Sequence, residues 1–176
     1  MKKLVVVLIC VSMSFLSFTE KEGTIFQDKN IVEIAAGNDN FSTLVAAVKA
    51  AGLVDVLSGN TQFTVFAPSN AAFDKLPKGT VASLLKPENK DALTDILMYH
   101  VVAGEYKAGD VVKAIKDNGG KFSVNTVKGE KITLKMDGNN VIIKDAKGGK
   151  SVIIMTDIDA SNGVIHAIES VLMPKS

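Results

Sequence analysis

The feature that most constrains this fold is the last apolar stretch of the chain. It runs Asp157-Ile158-Asp159-Ala160-Ser161-Asn162-Gly163-Val164-Ile165-His166-Ala167-Ile168 and continues through Glu169-Ser170-Val171-Leu172-Met173-Pro174. One apolar strand meets a turn signal and re-emerges at once as a second apolar strand. Asn162-Gly163 predicts a tight hairpin, because both residue types tolerate positive φ at little cost. β-branched replacements there are expected to disrupt the pair.

Upstream the pattern changes. From Lys121 onward the period is two: Phe122, Val124 and Thr126 alternate with polar residues, as do Ile132, Leu134 and Met136. Asp137-Gly138-Asn139-Asn140 and Gly148-Gly149 read as turns into two further strands, Val141 to Lys144 and Val152 to Thr156. Before Lys121 the spacing is mostly helical. Ile31, Ile34 and Ala35 share a face and stop at Gly37; Phe41, Leu44, Val45 and Val48 follow, capped by Asp39 or Asn40 and ended by Gly52. A short turn spans Leu53 to Leu57. Gln62 to Ala67 is the exception, a buried strand ended by Pro68. Ser69 or Asn70 then caps a helix carrying Ala71, Ala72, Phe73 and Leu76, and another runs from Thr80 to Leu85. Pro87 suits a first helical turn, starting a helix that presents Leu93, Ile96, Leu97 and His100 on one face. Asp110 is placed to cap Val111 to Lys116. The expected class is α+β, with helices concentrated in the first two-thirds and antiparallel strands in the last third.

Met1-Lys2-Lys3 followed by apolar Leu4 to Phe18 reads as a secretory signal, too short for a transmembrane helix of about 20 residues. Ser17-Phe18-Thr19 sets the expected cut before Glu20. That gives a signal over 1–19, a polar lead-in over 20–26 and one domain over 27–174. Cys10, the only cysteine, lies within the signal, and bulky Ile9 before it argues against lipidation. Without the signal the chain has neither disulfides nor a thiol nucleophile. No stable membrane insertion is expected after cleavage. The formal net charge of +1 falls to −1 once Lys2 and Lys3 leave, and arginine is absent throughout. With no guanidinium fork and no basic stripe interleaved with aromatics, a nucleic-acid partner is not expected.

Three blocks in order carry a family resemblance: Thr64-Val65-Phe66-Ala67-Pro68-Ser69-Asn70-Ala71-Ala72-Phe73, then Tyr99-His100, then the terminal stretch. Together they resemble the signature motifs of fasciclin-like domains, over about Gln27 to Pro174. The resemblance implies a twisted antiparallel β-wedge, or sandwich, packed against a cluster of short helices. It also implies an exported, non-enzymatic domain acting in cell adhesion or surface and matrix interaction, with a cell-surface or matrix protein or glycan as partner. In animal members, Asp-Ile and Tyr-His elements are implicated in integrin-dependent adhesion. Asp95, Ile96, Tyr99 and His100 are therefore the candidate interaction residues. Phe66, Pro68, Asn70, Asn162, Gly163 and His166 are the motif residues expected to hold the fold.

Other chemistries weigh less. His100 and His166 are the only histidines, and no cysteine or dense carboxylate cluster accompanies them at metal-ligand spacing. Each is expected to be buried and bonded to backbone or a short polar side chain. Asn70 is expected to cap its helix or tie the strand exit to a neighbouring loop. Ser69 has no adjacent base and no nucleophile elbow. Asp157 and Asp159 share a strand face, where turn capping is the expected task. No cofactor, metal or catalytic residue is assigned. Two rival functions remain: a binding module for a small apolar ligand or a glycan, and an enzyme using His100 or His166.

Overall fold

The computed structural model describes residues 29–175. The expected signal segment with Cys10, and the expected lead-in over 20–26, lie outside the described residues.

The first helix, α1 (Ile31–Ala36), begins at a reciprocal cap: Asn30 Oδ1 accepts from the Glu33 N–H at 3.0 Å, and Glu33 Oε2 accepts from the Asn30 N–H at 2.9 Å. A 3₁₀ turn over Asp39–Phe41 leads into α2 (Ser42–Ala51), which ends at Gly52 in the left-handed conformation. After α3 (Val54–Leu57) the chain enters β1 (Phe63–Pro68), whose six residues are all buried. Two short helices, α4 (Asn70–Asp74) and α5 (Thr80–Leu84), precede a 3₁₀ turn with Pro87 at its start. Then come α6 (Lys90–Tyr99), β2 (Val101–Ala103) and α7 (Ala108–Asp117). The remainder is strand: β3 (Lys121–Asn125), β4 (Lys131–Asp137), β5 (Asn140–Lys144), β6 (Lys150–Ala160) and β7 (Gly163–Ile168).

The seven strands form one sheet in the order β2-β1-β7-β6-β5-β4-β3. The expected wedge is there, with one qualification. β1 and β7 pair in parallel, from Phe63↔Gly163 to Pro68↔Ile168, whereas every other strand pair is antiparallel. Long β6 joins the two halves, pairing with β5 through Lys150 to Val152 and with β7 from Ile153 onward. Its register with β7 shifts twice, and Asp157 in the second shift is the one non-glycine described residue at positive φ, 55°. The break expected after Thr156 is thus a kink inside one strand.

Because β1 alternates faces, it feeds two cores. Val65 and Ala67 pack with Leu44, Val48, Leu97 and Ile165 under the helical cluster. Phe66 points the other way, among Tyr99, Ile115, Ile132, Leu134 and Ile143 beneath α7.

Four local expectations need correction. The two-residue loop of the terminal hairpin is Ser161-Asn162, since Ala160 pairs with Gly163, and Asn162 does not adopt positive φ. Gly163 (φ 143°) is required for a different reason: a Cβ there would overlap the Phe63 carbonyl oxygen and lie 2.9 Å from the Phe63 nitrogen. Helix α7 starts at Ala108, so Asp110 sits in its first turn; Asp157 Oδ1, from β6, accepts the Ala108 N–H at 2.8 Å. Ser69 occupies the N-cap of α4 without a side-chain capping bond. On α6, Leu93 and Leu97 are buried, Ile96 only partly.

Candidate functional site

Of the motif residues, Asn162 and Asn70 stand at the two ends of the β1–β7 pair, and both bond to main-chain groups. Asn162 is buried in the terminal turn. Its Oδ1 accepts the Ile31 N–H at 2.9 Å, and its Nδ2 donates to the Leu57 carbonyl at 2.7 Å and the Gly59 carbonyl at 2.8 Å. One side chain therefore caps α1, closes the exit of α3 and anchors the hairpin. Asn70 does the same at the other end of β1. Its Oδ1 accepts the Thr43 N–H at 3.1 Å, while Nδ2 donates to the Asp39 carbonyl at 2.8 Å and Ser42 Oγ at 2.9 Å. Of the two tasks expected for Asn70, tying the strand exit to a neighbouring segment is the one the geometry displays.

Both imidazoles are interior. His100, at the C-cap of α6, donates from Nδ1 to the Ile96 carbonyl at 2.7 Å, and its Nε2 accepts the Leu172 N–H at 2.9 Å. That pairing selects the neutral Nδ1–H tautomer. Burial lowers its pKa to about 4, against the opposing pull of the Ile96 carbonyl and the Asp145 charge. His166 has the opposite tautomer: Nε2 donates to the Tyr106 carbonyl at 2.8 Å and Nδ1 accepts the Asp157 N–H at 3.3 Å. Its ring stacks on Phe66 with centroids 5.8 Å apart. Burial lowers this pKa too, opposed by the Tyr106 carbonyl and Asp157.

The four candidate interaction residues do not form one surface. Tyr99 is fully buried; its hydroxyl donates to the Lys131 carbonyl at 3.2 Å and accepts the Ala146 N–H at 2.9 Å. Burial raises its pKa, against the lowering effect of the Ala146 bond. His100 is equally enclosed. Only Asp95 is exposed, with Ile96 partly so, and the Asp95 carboxylate holds Lys128 Nζ at 2.8 Å. Asp157 caps α7, and Asp159 pairs with Lys107 at 3.1 Å, so the two carboxylates secure the same helix start. Among the described residues no group of three or more His, Cys, Asp or Glu side chains could hold a metal ion.

Three structural residues escaped the sequence reading. Buried Thr64 donates from Oγ1 to the Gly104 carbonyl and accepts the Tyr106 N–H. Ser151 donates to the Ser170 carbonyl and accepts the Ser170 N–H. Asp145 accepts the Gly149 N–H at 2.6 Å and the Met173 N–H at 3.1 Å. The first Asp145 bond has a local signal, an Asp ahead of a Gly-Gly turn. The second joins segments far apart in the chain and has none.

The helix–wedge arrangement has counterparts among known proteins. The Fasciclin domain family model matches residues 39–174. Protein sll1483 of Synechocystis is 48% identical over 169 residues, covering 93% of this chain and 87% of that protein. Transforming growth factor-beta-induced protein ig-h3 of Sus scrofa is 36% identical over 147 residues, which span 84% of this chain but 20% of that longer protein. Immunogenic protein MPB70 of Mycobacterium bovis is 36% identical over 145 residues, covering 80% of this chain and 66% of that one. Among solved structures, a FAS1 domain pair from the insect cell adhesion molecule fasciclin I superposes with TM-score 0.74 at 19% identity, over 84% of this chain and 51% of that one. The chain belongs to the fasciclin domain family.

Proposed function

We propose that this is an exported, non-enzymatic fasciclin domain that mediates adhesion or surface and matrix interaction through protein–protein or protein–glycan contacts. The observation that carries this reading is where the motif side chains are spent. Asn70, Asn162, Tyr99, His100 and His166 all bond to backbone groups, so the motifs build a rigid body whose outer surface is left to act. Two further facts support it: membership of the fasciclin family, and the structural likeness to a domain pair from an insect cell adhesion molecule. A single domain contacting a surface gains avidity only by self-association or by attachment to a repeating partner.

Catalysis at a histidine and an apolar ligand held in the core fare less well against the geometry. An enzyme using either histidine would need a free ring nitrogen, and all four are committed. The apolar cavity between α1, α2 and the β1–β7 pair, lined by Ile31, Val45, Leu57, Val65 and Ile165, holds about 30 Å³. That is room for roughly one water, not for an organic ligand.

The test has two parts. The full chain is expressed with its N-terminal segment, and the mass of any exported product locates the cut; a start near Glu20 is expected. The exported protein is then used to capture partners from cell-surface extract, beside the Asp95→Asn variant. A partner held by the wild type supports the adhesive reading, and its loss from folded Asp95→Asn assigns the contact to α6. Retention of product in the cytoplasm, or capture of nothing, overturns the reading.

A further inference from the structure

The half of the sheet made by β3 to β6 has an inner face covered by α7, through Val111 and Ile115 packed on Val124, Ile132 and Leu134. Its outer face carries mostly exposed side chains, with Ile142 buried at its centre. Strand alternation and the observed register put Lys121, Lys131, Lys135, Lys144 and Lys150 on that outer face, against a single carboxylate, Asp137. The chain as a whole is close to neutral, at +1, so this face is strongly polarised. The described ion pairs involve Lys75, Lys107 and Lys128, and none of these five lysines.

Stability does not explain the arrangement. Lys121 stands directly opposite Lys135, and Lys144 directly opposite Lys150. Like charges in directly opposed cross-strand positions, with Cβ atoms about 5 Å apart, destabilise a sheet. Protection of an exposed strand edge would account for Lys121 on β3, but Lys131, Lys135, Lys144 and Lys150 lie on strands paired on both sides. The lysines thus concentrate where they repel one another, with Asp137 the single carboxylate on these strands' outer face to offset them.

We propose that the outer face of β3 to β6 is a docking surface for an acidic polysaccharide, a sugar chain bearing carboxylate or sulfate groups. This deepens the surface-interaction reading above by naming a partner class. The four strands span about 14 Å from β3 to β6. That width holds several charged sugar units side by side with the lysine rows. Between the ammonium groups stand hydroxyls and amides suited to sugar hydroxyls: Ser123, Thr133, Asn125 and Asn140 share the same face. The face lacks what nucleic acid would use, since Phe122, the one aromatic on these strands, is turned inward toward Tyr106.

The test is retention of the full chain on immobilised alginate and on dextran sulfate, with neutral dextran as the blank. The quadruple variant K121Q/K135Q/K144Q/K150Q is compared with a charge-matched control, K49Q/K78Q/K86Q/K113Q, whose lysines are exposed on or beside the helices. Wild type and control are expected to bind alike and elute with rising salt. The face variant is expected to lose at least about tenfold in affinity and to show a flatter salt dependence. Circular dichroism and melting check that both variants fold. Equal weakening of both variants would mean mere net charge, and no retention of the wild type would mean no site; each overturns the proposal. So does tighter binding to phosphatidylserine vesicles or single-stranded DNA of matched charge. Loss of alginate binding with undiminished capture of a surface protein would keep this face and place the protein contact elsewhere. Unchanged alginate binding by the face variant would sink the polysaccharide proposal alone and leave the adhesive reading standing.

Discussion

The two halves of the sheet obey different rules. Around β1 and β7 both faces are buried, and polar side chains survive there only by bonding to backbone: Thr64, Asn162 and His166 are each under 5% exposed, and no described buried side-chain polar atom lacks a partner. Across β3 to β6 one face is buried and the other largely open, and the open face carries lysines set against each other. Residues in the first half are constrained by packing and by hydrogen bonds that cannot be replaced by water. Those in the second are constrained only by solubility and by what they meet. Motif residues therefore report on architecture here, and the proposed polysaccharide contact falls on the open face instead.

The comparison breaks most sharply at Gly163. Gly163→Val should abolish the β1–β7 pairing, because its side chain would occupy the space of the Phe63 carbonyl; the expected loss exceeds about 4 kcal/mol, read as failure to show a cooperative melt. Phe66→Ala should cost about 3–5 kcal/mol in urea denaturation, from lost burial and the cavity left beneath α7. Asn162→Ala removes three bonds at once and leaves the Ile31 N–H and two carbonyls buried without partners, so roughly 3 kcal/mol is expected. A midpoint for Asn162→Ala near wild type would show that the hairpin does not depend on this tie.

His100 supplies a pH-dependent prediction. Its folded pKa, about 4, lies below the unfolded value of 6.5, so between those values the unfolded chain binds the extra proton. Stability should fall as pH drops from about 6.5 toward 4, by a few kcal/mol, and this contribution should level off below 4. His166, shifted in the same direction, adds to the slope. Urea midpoints at a series of pH values check this, and His100→Asn, less stable at neutral pH, should show a shallower acid slope. The smallest effect belongs to the open half: Lys121→Gln or Lys144→Gln should leave stability unchanged or raise it by about 0.5 kcal/mol, since each relieves an opposed pair. A clear destabilisation would show that these lysines contribute to the fold and are not held for a partner.

Much of this was legible in the chain itself. The spacing of Ile31, Ile34 and Ala35 predicted the helix over Ile31–Ala36, and the alternation from Phe122 to Met136 predicted the strands that form. Such signals are readable because helical and strand periods, and the φ restrictions of capping and turn residues, belong to a handful of neighbouring residues. Asn162-Gly163 marked the right turn for the wrong reason. The chain showed a turn, but the Asn is kept for partners 131 and 105 residues away and the Gly for a strand that approaches too closely for a Cβ. The histidines were expected inside, yet Leu172 as the partner of His100 and the Asp157 N–H as that of His166 follow from segments meeting in space. Lys131 and Lys135 were visibly on one strand face, four residues apart, while their alignment with Lys121, Lys144 and Lys150 is a product of register across four strands. The sequence by itself determined which segments curl, which extend and where they turn, since those choices are made by local sterics and periodicity. Only the tertiary structure decided that β1 and β7 run parallel, which buried polar atoms satisfy one another, and that five scattered lysines share one face. Those are settled by contacts between segments that no local pattern encodes.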